Sequence, residues 1–549
     1  MVLCNLSVLV KISMAISELS ITLFMVYFLI NFASLASSSS SADTICNLTP
    51  YPTFCESNSP SKDQAEIHEY GRFFASKSLS SSKKFLSLVS KYLKSPSKFS
   101  MSTMLALQDC HLIGDLNIDF WSKTLHSINS TNTLSSSEAE NLHSLISATL
   151  TNHDTCLDSL QQTASSPDDD LLSHLSNGTK FYSISLAIFK RGWTNKVNKE
   201  RKLAESNNNL MYERIIRRGR KLLQLDPDNV VVNQLVVVNP DGSGNYTTIN
   251  DAVSAAPNNT GGINGFFMIY VVAGIYEEYV SVPKYKQYLM MVGDGINQTI
   301  ITGNRSVAAG WTTFNSATFA VVAQGFVAVN ITFRNTAGAI NHQAVALRSG
   351  ADLSAFYNCS FEGYQDTLYT HSLRQFYRNC DIYGTVDFIF GNAAVVLQDC
   401  NIYPRLPLDG QFNAITAQGR TDINQNTGTS IHNCNITAAS DLATSNGTTK
   451  TYLGRPWKQY STTVYMQSFM DSFIDPSGWT EWSGDFALDT LYYAEFDNQG
   501  PGSNTSNRVT WLGYHVINAT DAVNFTVSLY IQGDAWLPAT GVPYYADLL

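Results

Sequence analysis

Four segments in the second half of the chain repeat one pattern: Asn358-Cys359-Ser360-Phe361, Asn379-Cys380-Asp381-Ile382, Asp399-Cys400-Asn401-Ile402 and Asn433-Cys434-Asn435-Ile436. Their cysteines are separated by 21, 20 and 34 residues. A repeat of about 20–25 residues without helical periodicity marks stacked β-coils, in which residues one period apart lie one strand spacing, about 4.8 Å, from each other. Asp366 follows Cys359 by seven residues and Asp387 follows Cys380 by seven, so the two carboxylates should be neighbours on one face. Gln343 lies 22 residues before Gln365 and brings an amide to the same ledge one coil earlier. Cys359 and Cys380, and likewise Cys400 and Cys434, are expected to stack closely enough to bridge.

From Asn233 onward β-branched and aromatic runs such as Phe267–Val272, Phe326–Phe333 and Thr385–Phe390 alternate with Gly, Asn and Asp. That texture predicts a right-handed parallel β-helix over 233–549, an all-β domain with one short helix near Ile249–Ala256. Residues 43–202 read differently. Ser102–Cys110 and Glu138–Leu150 carry apolar residues at three- and four-residue intervals, which predicts an all-α helical bundle. Two domains also suit a chain of 549 residues.

The apolar run Ile21–Ile30, followed by small residues through Ala42, reads as a secretory signal or signal anchor over 1–42. Eight cysteines beyond that leader, four per half, favour disulfides over metal ligation in a secreted chain, with Cys46–Cys55 and Cys110–Cys156 as the expected pairs in the helical half. Between the halves, over 203–232, lies a linker whose basic run Arg214, Arg217, Arg218, Arg220 and Lys221 suggests a proprotein processing site. From Gln224 onward 13 basic and 26 acidic residues give a net charge of -13, which argues against nucleic acid as a partner.

On residue types alone, Asp366 and Asp387 allow a glycosidase acid/nucleophile pair, a calcium site, or an acid plus carboxylate nucleophile for acyl transfer. Gln343 and Gln365 supply neutral amide donors of the kind an ester oxyanion needs, whereas calcium would call for more carboxylates than the ledge supplies. No serine after Gln224 sits in a G-x-S-x-G elbow.

Gly363-Tyr364-Gln365-Asp366-Thr367-Leu368-Tyr369, Gly384–Asn392 around Asp387 and Leu453-Gly454-Arg455-Pro456-Trp457 resemble the signature segments of plant pectin methylesterases. So do Gln343–Leu347 and Thr416-Ala417-Gln418-Gly419-Arg420, and the likeness runs from about Val236 to the C-terminus. The first half, through Tyr51–Cys55, Leu107–Cys110 and Thr155–Asp158, resembles the pectinesterase-inhibitor domain that precedes the enzyme in many members. Arg220-Lys221-Leu222-Leu223 is similar to their processing motif. The resemblance implies an extracellular, cell-wall hydrolase of galacturonan methyl esters. Its partners would be pectin, a processing protease and pectinesterase inhibitor proteins. It implies Asp387 as nucleophile, Asp366 as general acid and then base, and Gln343 and Gln365 as oxyanion donors. Arg455 would orient Asp387, and Thr313 and Trp457 would contact sugar. Neither metal nor organic cofactor is called for. The sequence departs from the family pattern at Ala309 and Ala323, away from the ledge. His342 and His371 lie near it but outside the aspartates' register and read as structural. Two rivals remain: a β-helix lyase or glycosidase acting on the same polymer, and a pectin-binding protein with an inhibitory helical half.

Overall fold

In the computed structural model the described residues are 42–60, 66–163, 169–194 and 230–549. The leader ahead of Ala42 and the basic run Arg214–Leu223 lie outside them.

The helical half opens with two short helices, α1 (Ala42–Cys46) and α2 (Pro52–Asn58), joined by a Cys46–Cys55 disulfide with Cα atoms 5.4 Å apart. Four long helices follow: α3 (Ile67–Leu93), α4 (Met101–Ile128), α5 (Ser136–Gln161) and α6 (Asp169–Phe189). Side chains of Ser100 and Ser135 accept from Thr103 N and Glu138 N, so α4 and α5 start at capped ends. Helix α4 packs on α3 and α5, α6 closes the bundle, and Cys110–Cys156 ties α4 to α5. Helix α5 is unusual in being buried continuously from Leu142 to His153. A helix buried all round is covered on both sides, and here the second cover is the β half.

That half is a right-handed parallel β-helix of three sheets with eleven, seven and eight strands, every pairing parallel. A short helix, α7 (Ile249–Ala255), adds its buried Ile249, Ala252 and Val253 to the core. The repeated Asn/Asp-Cys pair has a simple origin. Asn330, Asn358, Asn379, Asp399 and Asn433 all sit at φ between 51° and 59°, at the corner from the eleven-strand to the eight-strand sheet. Asn and Asp tolerate this left-handed region best among non-glycine residues. The residue after each corner turns inward, and the cysteines join a core of stacked rings such as Phe333 on Phe361 and Phe356 on Tyr377.

Those cysteines correct one expectation. Cys359, Cys380, Cys400 and Cys434 are stacked and buried, yet all four are free thiols; neither Cys359–Cys380 nor Cys400–Cys434 is bridged. In-register parallel strands hold Cα–Cβ bonds parallel, so neighbouring Cβ atoms stay about 4.8 Å apart, beyond the 3.5–4.5 Å a disulfide needs. Each thiol instead faces a carbonyl oxygen of the preceding coil: Ala328, Phe356, Tyr377 and Leu397, at 3.4–3.6 Å.

Candidate active site

The two aspartates and two glutamines lie in the turns that enter strands of the seven-strand sheet. Leu347–Ser349, Leu368–Thr370 and Ile389–Gly391 are consecutive strands of that sheet, with Leu347 paired to Leu368 and Leu368 to Ile389. Two residues ahead of the last pair, Asp366 and Asp387 therefore occupy equivalent positions on adjacent coils. Asp366 N donates to Val386 O at 3.1 Å and carries the ladder into the turn. Both aspartates hold positive φ, 61° and 53°, a conformation costly for most side chains that aims each carboxylate outward from the coil. One coil earlier, Ala344 N donates to Gln365 O at 3.2 Å, which sets Gln343 beside Gln365.

Arg455 leaves the strand Thr451–Gly454 two coils later. A Cβ on Gly454 would meet Thr416 Oγ1 at 2.1 Å, so only glycine lets the chain pass there. The guanidinium then reaches back and grips Asp387 with two bonds, Nε to Oδ1 at 2.8 Å and Nη2 to Oδ2 at 2.7 Å. Asp366 has no such partner. Burial pushes the Asp366 carboxyl well above the usual carboxylate range, the neighbouring Asp387 charge pushes it further, and Arg455 only partly opposes this. At Asp387 burial also acts upward, but the Arg455 fork and its charge pull the other way. Both carboxyls thus lie above their ordinary value because of burial, Asp366 well above it and Asp387 less far because Arg455 opposes the rise. Because Arg455 takes both oxygens of Asp387, a calcium ion would be left without that ligand. Among the described residues, no group of three or more His, Cys, Asp or Glu could hold a metal ion.

Gln343, Gln365, Asp366, Asp387, Arg455, Thr313 and Trp457 all line one cavity of about 380 Å³. Trp457 lies against Phe390, whose ring stacks on Tyr369 at 4.1 Å. The 21-residue period that aligns the aspartates also aligns Tyr369 with Phe390, so the register signal extends to this aromatic wall. Trp482, over which Arg455 lies at 4.3 Å, was missed; it belongs to an irregular loop with no register to betray it. His342 is exposed, and buried His371 meets Thr155 through its Nε2 at 2.9 Å.

Thr155 belongs to α5, which forms the cavity's opposite wall together with Asp158, Ser159 and Gln162. Ser144, Ser147, Thr151, Thr155 and Asp158 recur every three or four residues and so share one helix face. That face bonds to Asn426, Gln425, Asn392, His371 and Lys458 of the β half. Gln162 Oε1 accepts from Thr313 N at 3.3 Å.

A Pectinesterase family model matches residues 235–534, and a Plant invertase/pectin methylesterase inhibitor model matches residues 40–188. The chain is 55% identical over 531 residues to an Arabidopsis thaliana protein described as "Probable pectinesterase/pectinesterase inhibitor 20", covering 93% of this chain and 94% of that protein. It is 55% identical over 407 residues to "Pectinesterase 2" of Citrus sinensis, covering 73% of this chain and 75% of that one. The solved structure of a pectin methylesterase from carrot is 56% identical and superposes with a TM-score of 0.56, over 57% of this chain and 98% of its own.

Proposed function

The chain belongs to the pectinesterase family of carboxylic ester hydrolases, and on that premise we propose how the cavity cleaves galacturonan methyl esters and how the helical half controls it. The Asp387 carboxylate attacks the ester carbonyl carbon, and amide N–H groups of Gln343 and Gln365 donate to the oxyanion that forms. The intermediate collapses, the bond to the methoxy oxygen breaks, and Asp366 gives that oxygen its proton, releasing methanol. Asp366, now a carboxylate, takes a proton from water as the water oxygen attacks the acyl carbonyl of the Asp387 anhydride. Hydrolysis returns Asp387 as carboxylate, leaves Asp366 protonated and leaves a galacturonic acid unit in the chain, which gives its proton to solvent. Thr313 and Trp457 contact the sugar ring.

One observation carries these roles: Arg455 forks onto Asp387 and leaves Asp366 without a cation partner. Asp387→Asn should lower methanol release by several orders of magnitude with the fold intact, and Asp366→Asn nearly as much. Either variant keeping more than about a tenth of wild-type activity would overturn the assignment. Methanol appearing without new chain ends separates this reading from a lyase or glycosidase.

In this reading residues 1–42 direct secretion to the cell wall, 43–202 form a pro-domain, 203–232 carry the processing site and 233–549 are the catalytic unit. Helix α5 across the cavity supports a zymogen in which the pro-domain excludes pectin until a protease cuts within Arg214–Leu223. N-terminal sequencing of the secreted enzyme tests the cut: a mature start near Gln224 is expected.

A further inference from the structure

The catalytic pair sits in two corners, 363–367 and 385–388, that lie between strands, so their spacing is not set by a sheet ladder alone. Strands Ser360–Glu362, Asp381–Gly384 and Asn401–Pro404 are neighbours in the eight-strand sheet, with Glu362 paired to Tyr383 and Tyr383 to Tyr403. Two residues further on, Tyr364, Thr385 and Arg405 therefore occupy equivalent positions on three successive coils. Tyr364 leads into Gln365-Asp366 and Thr385 into Asp387, while Arg405 carries a side chain that reaches back across both coils. We infer that Arg405 is a positioning residue for ester hydrolysis, a staple that sets Gln365 and Asp366 relative to Asp387 without touching the substrate. The inference rests on the roles proposed above.

Three contacts make the staple. Arg405 Nη1 donates to Gly363 O at 3.1 Å, and Nη2 donates to the Tyr364 hydroxyl at 2.7 Å. The guanidinium carbon lies 3.9 Å from the centre of the Tyr364 ring. These partners are two coils away, about 9.6 Å along the stack, so the side chain bridges the intervening coil. Its base is fixed as well. Arg405 N donates to Gly384 O at 2.7 Å, and Arg405 O accepts from Nδ2 of fully buried Asn413 at 3.0 Å. One residue thereby holds Gly363-Tyr364 with its side chain and Gly384 with its backbone, and these lead into the two catalytic turns.

The turns can pass that hold on to the carboxylates. Tyr364 O accepts from Thr385 N at 3.0 Å, and Gly363 N donates to Tyr383 O at 3.3 Å. Thr367 Oγ1 lies between Tyr364 O and Tyr383 O, 3.1 and 2.9 Å away. A Cβ on Gly363 would meet that hydroxyl at 2.7 Å, so the corner is tightly packed. Asp366 and Asp387 hold positive φ there, which persists only where the surroundings over-determine it. Arg405 lines a separate cavity with Glu362, Tyr383 and Asp441 and does not border the catalytic one, so its route to the chemistry is through the turns. Its ion pair with Asp441, 3.4 Å long and with the aspartate 36% exposed, is a surface contact of little worth.

The test uses the enzyme as secreted by cells expressing the full chain, with methanol release followed over a range of pectin concentrations and thermal unfolding measured beside it. Arg405→Gln should lower kcat about 10- to 100-fold, the effect of moving the reacting groups by up to about 1 Å. KM should stay within about twofold of wild type, because no contact with bound pectin is removed. Tyr364→Phe keeps the ring and loses the hydroxyl, so kcat should fall about threefold. The double variant should be no slower than Arg405→Gln alone, since both changes break one contact. Arg405→Lys reaches only one of the two acceptors and should fall between wild type and Arg405→Gln. A residue that merely stabilises the solenoid would lower the unfolding temperature and spare kcat. If Arg405→Gln does not fold, Tyr364→Phe decides. An unchanged kcat in either single variant, a loss carried by KM, or additive losses in the double variant overturns the staple and leaves the esterase reading standing. Wild-type enzyme that releases no methanol sinks that reading and the staple's role with it.

Discussion

Replacing Arg455 probes the division of labour between the two aspartates most directly. Its fork onto Asp387 is nearly dry, with side-chain exposures of 18% for the arginine and 7% for the aspartate. Stripping one partner from a buried pair of this kind costs about 3–5 kcal/mol. Two charge-assisted bonds at about 1.5–3 kcal/mol each give the same range. At about 1.36 kcal/mol per decade, Arg455→Ala should lower kcat for methanol release by about 10²- to 10⁴-fold. Arg455→Lys keeps the charge, and its contact with Trp482, but loses the fork, so it should recover roughly half of that loss on a logarithmic scale. The pH profile separates this from a packing defect. Without the cation, the Asp387 carboxyl rises further above its ordinary value. The rate fails as pH falls through that pKa, so the acid limb of kcat/KM should move to higher pH in Arg455→Ala and less so in Arg455→Lys. Methanol release measured from pH 4 to 9, beside thermal unfolding, checks both. An Arg455→Ala enzyme with more than a tenth of wild-type kcat, or with its acid limb unmoved, would refute the reasoning.

Two further outcomes follow from buried groups. The enzyme without its leader, denatured but not reduced, should titrate four thiols per chain; a count of zero would mean that the cysteine column bridges after all. Asp109 of α4, facing Thr312, Asn315 and Arg348 of the β half, is pushed by burial to about 7. The folded form therefore binds more protons than the unfolded chain between the ordinary carboxylate value and pH 7. The stability from this group is full at pH 4 and lost as pH rises to 7. Asp109→Asn should then unfold at a higher temperature than wild type at pH 8, with the advantage vanishing near pH 4.5; an equal difference at both pH values would contradict this.

The catalytic ledge was legible because it is a matter of register. Asp366 and Asp387 are one period apart, and in a stacked coil a period is a contact. The same arithmetic placed the cysteines correctly in a column but could not pair them. Bridging depends on the direction of Cβ bonds, and parallel strands keep those directions alike. Trp482 and Arg455 reach the cavity from later coils through irregular segments, and only the family motif drew attention to Arg455. The seating of α5 was hardest to foresee. Its Ser144–Asp158 stripe has the composition of a solvated face, and nothing in a helical pattern distinguishes water from a polar partner domain as what covers it.

The distribution of sulfur gives the two halves different chemistry towards a reductant. Both disulfides of the described residues, Cys46–Cys55 and Cys110–Cys156, staple the pro-domain, while the catalytic half rests on reduced thiols that have nothing to lose. Cys110–Cys156 joins α4 to α5, the helix that walls the cavity. On the zymogen reading proposed above, a change towards reducing conditions loosens the cover and spares the catalyst. The β-helix folds without an oxidative step, whereas the helical half that walls its cavity is held by two disulfides.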